Sequence, residues 1–273
     1  MQPATAAADA CLVRFADLAA GLGAPVPANP RIAEAVFNVR RLSSGEAVYH
    51  AGDKFETIYL VRAGFFKTVR FGNSGSEQVL GFPMAGDVIG LDAADLDEYA
   101  TDVIALDTSG VVVIPFGQLA RFTREDCGLQ HLVHSLFSRE VVRRERVIAL
   151  LGTLGAEARV AAFLLYQSES FGKLGYSPMS FQLRMTRQDV GNYLGLKLET
   201  VSRIFSAFAA AGLLDVRRRW ITLHDLDALR AVGASHAETA RRRRAAAVAP
   251  AGATRLATGP APSRRPRASL AVA

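Results

Sequence analysis

Three polar side chains stand close together in the segment LETVSRIF, residues 198–205, which is otherwise mainly apolar. In an α-helix, Glu199, Ser202 and Arg203 occupy positions i, i+3 and i+4 and share one face. An arginine can bond guanine O6 and N7 together, a glutamate can accept from the cytosine amino group, and a serine can bond a base edge or a phosphate. The spacing therefore predicts a helix that presents base-reading side chains to DNA.

The surrounding residues favour DNA binding over the alternative of an ordinary surface salt bridge between Glu199 and Arg203. Thr186, with Asp189 three residues later, is typical of a capping box at a helix start. Gly195 then permits a sharp turn. Four residues of the second helix have the spacing of a buried face: Val201, Ile204, Phe205 and Phe208. Together these signals predict a helix-turn-helix whose second helix enters the major groove.

The segment LLDVRRRWITL, residues 213–223, predicts a hairpin that follows the helix-turn-helix. Its three consecutive arginines would form a basic tip beside the DNA backbone, as in a winged helix-turn-helix. We expect the tip and the hydroxyl and basic residues around the two helices to contact phosphates. The predicted backbone contacts are Thr186, Arg187, Lys197, Thr200, Arg217, Arg218 and Arg219.

Two elements are predicted before this domain. From Gly45 to Phe116, short β-branched and aromatic runs separated by glycines indicate a rolled antiparallel sheet, which can hold a ligand or only pack a core. An apolar stripe with helical spacing follows, over about seven turns. We interpret it as an interface between two copies of the chain, and packing against its own sheet is the alternative. The predicted interface residues are Leu129, Leu132, Val133, Leu136, Val141 and Ile148.

The net charge of +6 in 273 residues is unevenly distributed. Residues 1–155 hold 14 Lys and Arg against 18 Asp and Glu, residues 156–233 hold 10 against 7, and residues 234–273 hold 8 against 1. The net charge comes mainly from residues 234–273, so it is weak evidence for nucleic-acid binding by the rest of the chain. That evidence has to come from the positions of individual charged residues. The segment 234–273 is rich in Ala, Arg, Pro and Gly, and its composition predicts a disordered basic tail.

The cysteine count and the hydropathy pattern narrow the class of protein. Cys11 and Cys127 are the only cysteines, which excludes a disulfide framework and a four-thiolate metal site. The most apolar stretch is interrupted by Glu157 and Arg159, and the first residues lack the charge layout of a secretory signal. We expect a cytoplasmic protein with no membrane partner.

These elements predict an α+β chain with five parts. They are an N-terminal extension (1–30), an antiparallel β-roll (31–123), a dimerisation helix (124–153), a winged helix-turn-helix (154–233) and the tail (234–273).

Residues 35–230 resemble the Crp/Fnr superfamily of bacterial transcription regulators, and most of all its fumarate and nitrate reduction branch. The resemblance is carried by HAGDKFETIYLVRAGFFKT, EQVLGFPMAGDVIGLDA and, with most specificity, MTRQDVGNYLGLKLETVSRIFSAFAAAGLL. It implies a cyclic-nucleotide-binding-like roll, a homodimer and a base-reading role for Glu199, Ser202 and Arg203, which match the E-x-x-S-R signature. It also implies a TTGAT-type inverted repeat as the operator, and action on RNA polymerase, with activation as the expected outcome.

Three departures from the family pattern concern the ligand and the start of the second helix. The oxygen-sensing members hold an iron–sulfur cluster on four cysteines, whereas this chain has two, and Val112 takes the place of the roll cysteine. Leu91 takes the place of the glutamate that binds the ribose of a cyclic nucleotide, and no Lys or Arg lies between Arg70 and Arg121. We therefore expect neither ligand. Lys197 takes the place where relatives often have a hydroxyl cap.

Three alternatives to this function are considered, of which the last two remain open from the sequence. A cupin-like enzyme would need an H-x-H metal pair, which the five histidines do not form, and we expect no enzymatic activity. A haem or nitric-oxide sensor of the same fold would draw an iron ligand from His50, His131 or His134. A dimerising protein that binds DNA without reading sequence would show affinity set by salt alone.

Overall fold

The computed structural model describes residues 11–72 and 75–233. The predicted tail, residues 234–273, lies outside the described residues. The predicted α+β architecture is confirmed: an antiparallel β-roll is followed by a long helix and by a winged helix-turn-helix.

Two antiparallel sheets form the roll. The first has the strand order β1-β2-β9-β4-β7, with bounds Cys11–Arg14, Val36–Leu42, Ser109–Pro115, Thr57–Ala63 and Val88–Ile89. The second has the order β3-β8-β5-β6, with bounds Ala47–Tyr49, Asp102–Ala105, Phe66–Phe71 and Glu77–Gly81. Phe66, Val69, Val103, Val111 and Val112 of these strands have no exposed surface. Val111 and Val112 are consecutive, so β9 is buried on both of its faces. The rolled antiparallel sheet that the glycine-separated runs predict is therefore present.

The start of the chain differs from the predicted extension. Residues Cys11–Arg14 pair with β2 in antiparallel register, and helix α1, Phe15–Gly21, follows directly. Phe15 and Leu18 of α1 join a core cluster with Phe37 of β2 and Leu119. A short helix α2, Pro30–Ala33, then leads into β2. Residues 11–33 thus belong to the roll, because their apolar side chains complete its core.

Two helices lead out of the roll. Helix α3 runs over Phe116–Glu125, and helix α4 runs over Cys127–Thr153. Asp126 separates them, and its carboxylate accepts a hydrogen bond from the Leu129 backbone N–H at 2.8 Å, which caps α4. The predicted long helix is therefore present and begins a few residues later than expected.

The C-terminal part contains helix α5 and the helix pair α6 and α7, followed by a small sheet. Its elements are α5 (Ala156–Lys173), β10 (Ser180–Gln182), α6 (Arg187–Leu194), α7 (Leu198–Ala210), β11 (Leu214–Arg217) and β12 (Trp220–Leu223), and residues 226–233 are helical. The sheet has the order β10-β12-β11. The core of this C-terminal part includes five residues without exposed surface: Val160, Leu164, Leu194, Val201 and Leu214. No helix within residues 11–72 and 75–233 combines the length and apolar character that crossing a bilayer requires.

Candidate nucleic-acid interface

The capping box predicted at the start of α6 is confirmed. Thr186 accepts a hydrogen bond from the Asp189 backbone N–H at 3.1 Å, and the Asp189 carboxylate accepts one from the Thr186 backbone N–H at 2.8 Å. These two bonds satisfy N–H groups that have no partner inside the helix. The box fixes where α6 begins.

A tight turn joins α6 to α7. Gly195 adopts φ 63° and ψ 38°, a left-handed conformation that suits glycine, and ends α6. Gly191, one turn earlier, is packed so closely that a Cβ there would lie 2.6 Å from the Leu196 backbone oxygen. The two glycines together allow the helices to cross at close range.

Helix α7 has the two faces that its sequence predicts. Val201, Ile204, Phe205 and Phe208 are buried, whereas Glu199, Ser202 and Arg203 are exposed. Arg203 Nε lies 3.4 Å from the Glu199 backbone oxygen, and the side-chain carboxylate of Glu199 forms no ion pair within the described residues. The ordinary surface salt bridge is therefore not formed, and the carboxylate, hydroxyl and guanidinium all face outward.

The start of α7 lacks a side-chain cap. Lys197 occupies the N-cap position with an extended backbone and makes no capping hydrogen bond from its side chain. Its ammonium group is exposed, and Thr200, one turn further on, is partly buried. The N–H groups of the first turn of α7 are thus left without a capping side chain, which favours an anion at this end.

Arg187, one of the predicted DNA-backbone contacts, packs its side chain inside the domain. Its guanidinium stacks on the Phe205 ring, with Cζ 3.5 Å from the ring centroid, and its Nη1 is buried without a hydrogen bond. Burial lowers the pKa of Arg187 to about 10, because the charged form has lost much of its solvent. Arg187 therefore packs α6 against α7, and Thr186 uses its hydroxyl in the capping box.

The predicted wing is present, and its arginines differ in their contacts. Strands β11 and β12 pair in register, with Arg217 opposite Trp220, and Arg218 in the turn has φ 58°. Arg219 is turned back onto the chain, where its Nη1 donates to the Arg184 backbone oxygen at 3.2 Å. Arg217 and Arg218 are exposed and form no ion pair in the part of the chain that the structure describes. Two of the three arginines are thus free at the tip.

The sequence did not predict the contact between the helix-turn-helix and the roll. Lys67 Nζ of β5 lies 2.6 Å from a Glu77 oxygen and 2.9 Å from an Asp189 oxygen, and the Lys67 and Asp189 side chains are only 16% and 9% exposed. Beside this ion pair, Gln78 donates to the Asn192 backbone oxygen at 2.7 Å. Lys67 and Asp189 are 122 residues apart, so no local pattern in the sequence indicates the pairing.

The charges around Asp189 stabilise its ionised form. Burial raises the pKa of the Asp189 carboxyl, but hydrogen bonds from Thr186 and Lys67 outweigh it, so that this pKa lies below its usual value. Asp189 therefore serves both as the cap of α6 and as an attachment of α6 to the roll.

A cavity of about 440 Å³ lies between the roll and α4 and reaches Gly195. The stretch between Arg70 and Arg121 contains no Lys or Arg, but the fold brings Arg70 of β5 and two arginines of α4 to the cavity. Arg143 pairs with Asp87, and Arg144 Nη2 lies 3.1 Å from an Asp92 oxygen. Glu140 contacts both arginines, with its oxygens 3.6 Å from Arg143 Nε and 2.9 Å from Arg144 Nε.

Two features of this cavity bear on the binding of a cyclic nucleotide. Arg143 and Arg144 already pair with carboxylates of this chain, whereas Arg70, which also lines the cavity, is exposed and forms no ion pair within the described residues. Leu91 also lines the cavity, at the place where the family pattern has a ribose-binding glutamate, and its side chain is buried. A leucine supplies no acceptor for ribose hydroxyls.

The six predicted interface residues of α4 fall into two groups that differ in burial. Leu129 is buried within its own chain, and Leu132, Val133 and Leu136 pack partly against the roll cluster that contains Phe15. That group follows the alternative of packing against the chain's own roll. Two of the predicted interface residues are strongly exposed: Val141 is 54% exposed and Ile148 is 70% exposed.

The histidines considered as haem ligands lie on two elements, His50 on the roll and His131 and His134 one turn apart on α4. His50 Nδ1 is 3.0 Å from an Asp102 oxygen, and His131 and His134 are exposed on α4. Cys127, the first residue of α4, is a free exposed thiol. The described part of the chain brings no three His, Cys, Asp or Glu side chains together in an arrangement that could hold a metal ion.

Comparisons with known proteins agree with this architecture. Residues 39–126 match the cyclic nucleotide-binding domain family, and residues 158–232 match the Crp-like helix-turn-helix domain family. The transcriptional regulatory protein btr of Bordetella pertussis is 36% identical over 232 residues, which is 84% of this chain and 94% of the relative. The chain belongs to the Crp/Fnr family. It is therefore a DNA-binding regulator of transcription.

Two further comparisons show the same likeness. The fumarate and nitrate reduction regulatory protein of Escherichia coli is 38% identical over 188 residues, covering 69% of this chain and 75% of the relative. The solved structure of FixK2 from Bradyrhizobium japonicum superposes with a TM-score of 0.67 at 27% identity, covering 72% of this chain and 98% of FixK2. The predicted Crp/Fnr fold, with its roll, long helix and helix-turn-helix, is thus confirmed.

Proposed function

We propose that the protein binds, as a homodimer, an inverted repeat with TTGAT-type half-sites and acts there on RNA polymerase as an activator in the cytoplasm. The observation that carries this proposal is the outward face of α7, where Glu199, Ser202 and Arg203 are exposed together. Each matches a base edge of the half-site chemically: guanidinium to guanine, carboxylate to the cytosine amino group, and hydroxyl to a base or phosphate. The buried face of α7 anchors it in the domain, so the outward side chains can enter a major groove.

The local charges support this orientation. Lys197, Arg217 and Arg218 are exposed around the two helices and the wing, and the first turn of α7, which has no capping side chain, adds the positive end of a helix dipole. We assign phosphate contacts to these groups. We propose no such role for Arg219, which bonds its own chain.

We further propose that operator binding needs neither an iron–sulfur cluster nor a cyclic nucleotide. Two cysteines cannot supply four thiolates, Arg143 and Arg144 beside the cavity already have carboxylate partners, and Leu91 stands where a ribose-binding glutamate would be. The relatives' names describe regulatory proteins, and the function proposed here is of that class.

The function is tested by titrating two labelled duplexes with the purified protein at one fixed salt concentration. One duplex carries the TTGAT inverted repeat, and the other carries the same bases scrambled. We expect the repeat to bind at least about 1,000-fold more tightly, the usual margin of specific over non-specific DNA binding. Equal affinity for the two duplexes, with a steep dependence on salt, would indicate a protein that binds DNA without reading sequence.

The proposed dimer is tested at the two strongly exposed residues of the α4 stripe. Changing Val141 and Ile148 together to glutamate would place four like charges in an apolar interface, two from each chain. We expect the dimer dissociation constant to rise at least about 100-fold, measured by analytical ultracentrifugation. The affinity for the inverted repeat should fall to that for a single half-site.

Val26→Glu is the matched control, because Val26 is also 54% exposed but lies outside α4. It should leave both the mass in solution and operator binding unchanged. If the Val141 and Ile148 variant remains a dimer, another surface holds the two chains together.

A further inference from the structure

The exposed side of α4 repeats every seven residues. Val141 and Ile148, where the two chains are proposed to meet, are seven residues apart, and His134 and Cys127 lie seven and fourteen residues before Val141. Such a repeat, with alternating steps of four and three, is the spacing of a seam between two parallel helices. Every position of this seam is exposed: Cys127, His131, His134, Ser138, Val141, Glu145 and Ile148.

The other seam that contains His134, Val141 and Ile148 would run through Phe137 and Arg144. Both of those side chains are engaged by their own chain, because Phe137 packs partly against the roll cluster that contains Phe15, and Arg144 pairs with Asp92. The exposed seam lies on the side of α4 away from the roll. A second copy of the chain would therefore meet the side of α4 that carries Cys127 and His131.

The two copies of α4 have to run in the same direction. Helix α4 ends at Thr153, and α5, the first helix of the DNA-binding part, begins at Ala156. Both recognition helices of a dimer must reach the same duplex, so both copies of α4 lead towards the DNA, with the two-fold axis between them. Each seam residue then faces its own copy, and two Cys127 thiols and two His131 imidazoles approach the axis together.

This pair of side chains has the chemistry of a zinc site. Thiolate sulfur and imidazole nitrogen are ligands that zinc prefers, and two of each is a common set in structural sites. Cys127 and His131 are four residues apart, a spacing that lets one helix hold one ion with two side chains. Both are exposed, and neither side chain forms a hydrogen bond or ion pair within the described residues.

We propose that the homodimer binds one Zn²⁺ ion on its two-fold axis, held by Cys127 and His131 of both chains. The inference rests on the dimer of the proposed function, because one chain supplies only two ligands. The described residues of one chain bring no three His, Cys, Asp or Glu side chains into an arrangement that could hold a metal ion. Each thiol releases its proton to the solvent and coordinates as a thiolate. Zinc that binds only the dimer favours dimer formation, and thereby operator binding.

The test titrates Zn²⁺ into the full-length protein, reduced, freed of metal with a chelator and kept anaerobic so that the thiols stay reduced. We expect one Zn²⁺ ion per two chains in calorimetry. At a free zinc concentration about 100 times the zinc dissociation constant, the dimer dissociation constant should fall about 100-fold, measured by analytical ultracentrifugation. Binding of one ion per chain, with no effect on dimer formation, would contradict a shared site.

Cys127→Ser and His131→Ala each remove two of the four ligands from the dimer. Both variants should lose the stoichiometric zinc and the effect of zinc on dimer formation, each compared with its own zinc-free dimer dissociation constant. His134→Ala is the matched control, because His134 is an exposed histidine of the same seam, one turn after His131. It should keep both properties, and loss of zinc in this variant but not in Cys127→Ser would overturn the ligand set.

The outcomes separate the inference from the proposed function. If wild type dimerises and prefers the inverted repeat but takes up no zinc, the zinc site is refuted and the proposed function stands. If wild type is a monomer both with and without zinc, the proposed dimer fails, and the inference fails with it.

Discussion

Replacing Arg203 by alanine should weaken binding to the inverted repeat by about 2–6 kcal/mol, which is roughly 30-fold or more in the dissociation constant. A bidentate contact between arginine and guanine is worth about 1–3 kcal/mol, and a dimer makes it twice. In the free protein the Arg203 guanidinium forms no ion pair within the described residues, so its loss should leave the fold intact. Titration of the repeat and of a repeat with the guanine pairs exchanged measures the effect, because the variant should no longer distinguish the two.

Arg218→Ala is the comparison, because Arg218 lies at the wing tip, where we propose that it contacts DNA phosphates. It should weaken binding to all duplexes by a similar factor and reduce the dependence on salt, without changing the preference between them. If Arg203→Ala binds the repeat as tightly as wild type does, Arg203 does not read a base.

Replacing Asp189 by alanine should lower the free energy of unfolding by about 3 kcal/mol. The change removes the cap of α6, worth about 1 kcal/mol, and deprives the partly buried Lys67 of one of its two carboxylates. Asp227→Ala is the matched control, because Asp227 pairs with Arg230 but is 91% exposed, and such pairs contribute little. Urea unfolding at neutral pH compares the three proteins, and equal losses for both variants would contradict the role of burial.

The difference in unfolding free energy between wild type and Asp189→Ala depends on pH in a defined way. The pKa of Asp189 is lowered in the folded protein, so the carboxylate contributes stability that is fully present above its unfolded pKa, about 3.9. This contribution is lost as the pH falls through the lower, folded pKa. The difference in unfolding free energy between wild type and Asp189→Ala should therefore be constant near neutrality and should shrink only in acid.

The sequence predicts the recognition helix well because the signals that form it are local. The capping pair Thr186 and Asp189 and the turn at Gly195 each lie within a few residues of what they control. Leu198 shows where a local pattern fails, since its spacing matches the buried stripe but the residue is 38% exposed. Burial depends on what lies opposite a side chain, and periodicity does not report that.

Contacts between distant parts of the chain could not be predicted. Arg143 and Asp87 are 56 residues apart, and only the folded arrangement brings α4 to the cavity. The same holds for the pairing of β1 with β2 and for the burial of Leu129, which require the position of α1 on the roll. A count of charges along the chain cannot find such partners, because it contains no distances.

The separation of the two faces of α7 has a consequence for engineering. The side chains that hold the helix in place, with Gly191 packed against the turn beneath it, contribute nothing to the outward face that we propose meets DNA. The outward positions can therefore be exchanged as a set while the scaffold retains its packing. A library randomised at Leu198, Glu199, Ser202 and Arg203 should yield stable proteins with altered operator preference, so that new target sites can be selected without redesigning the core.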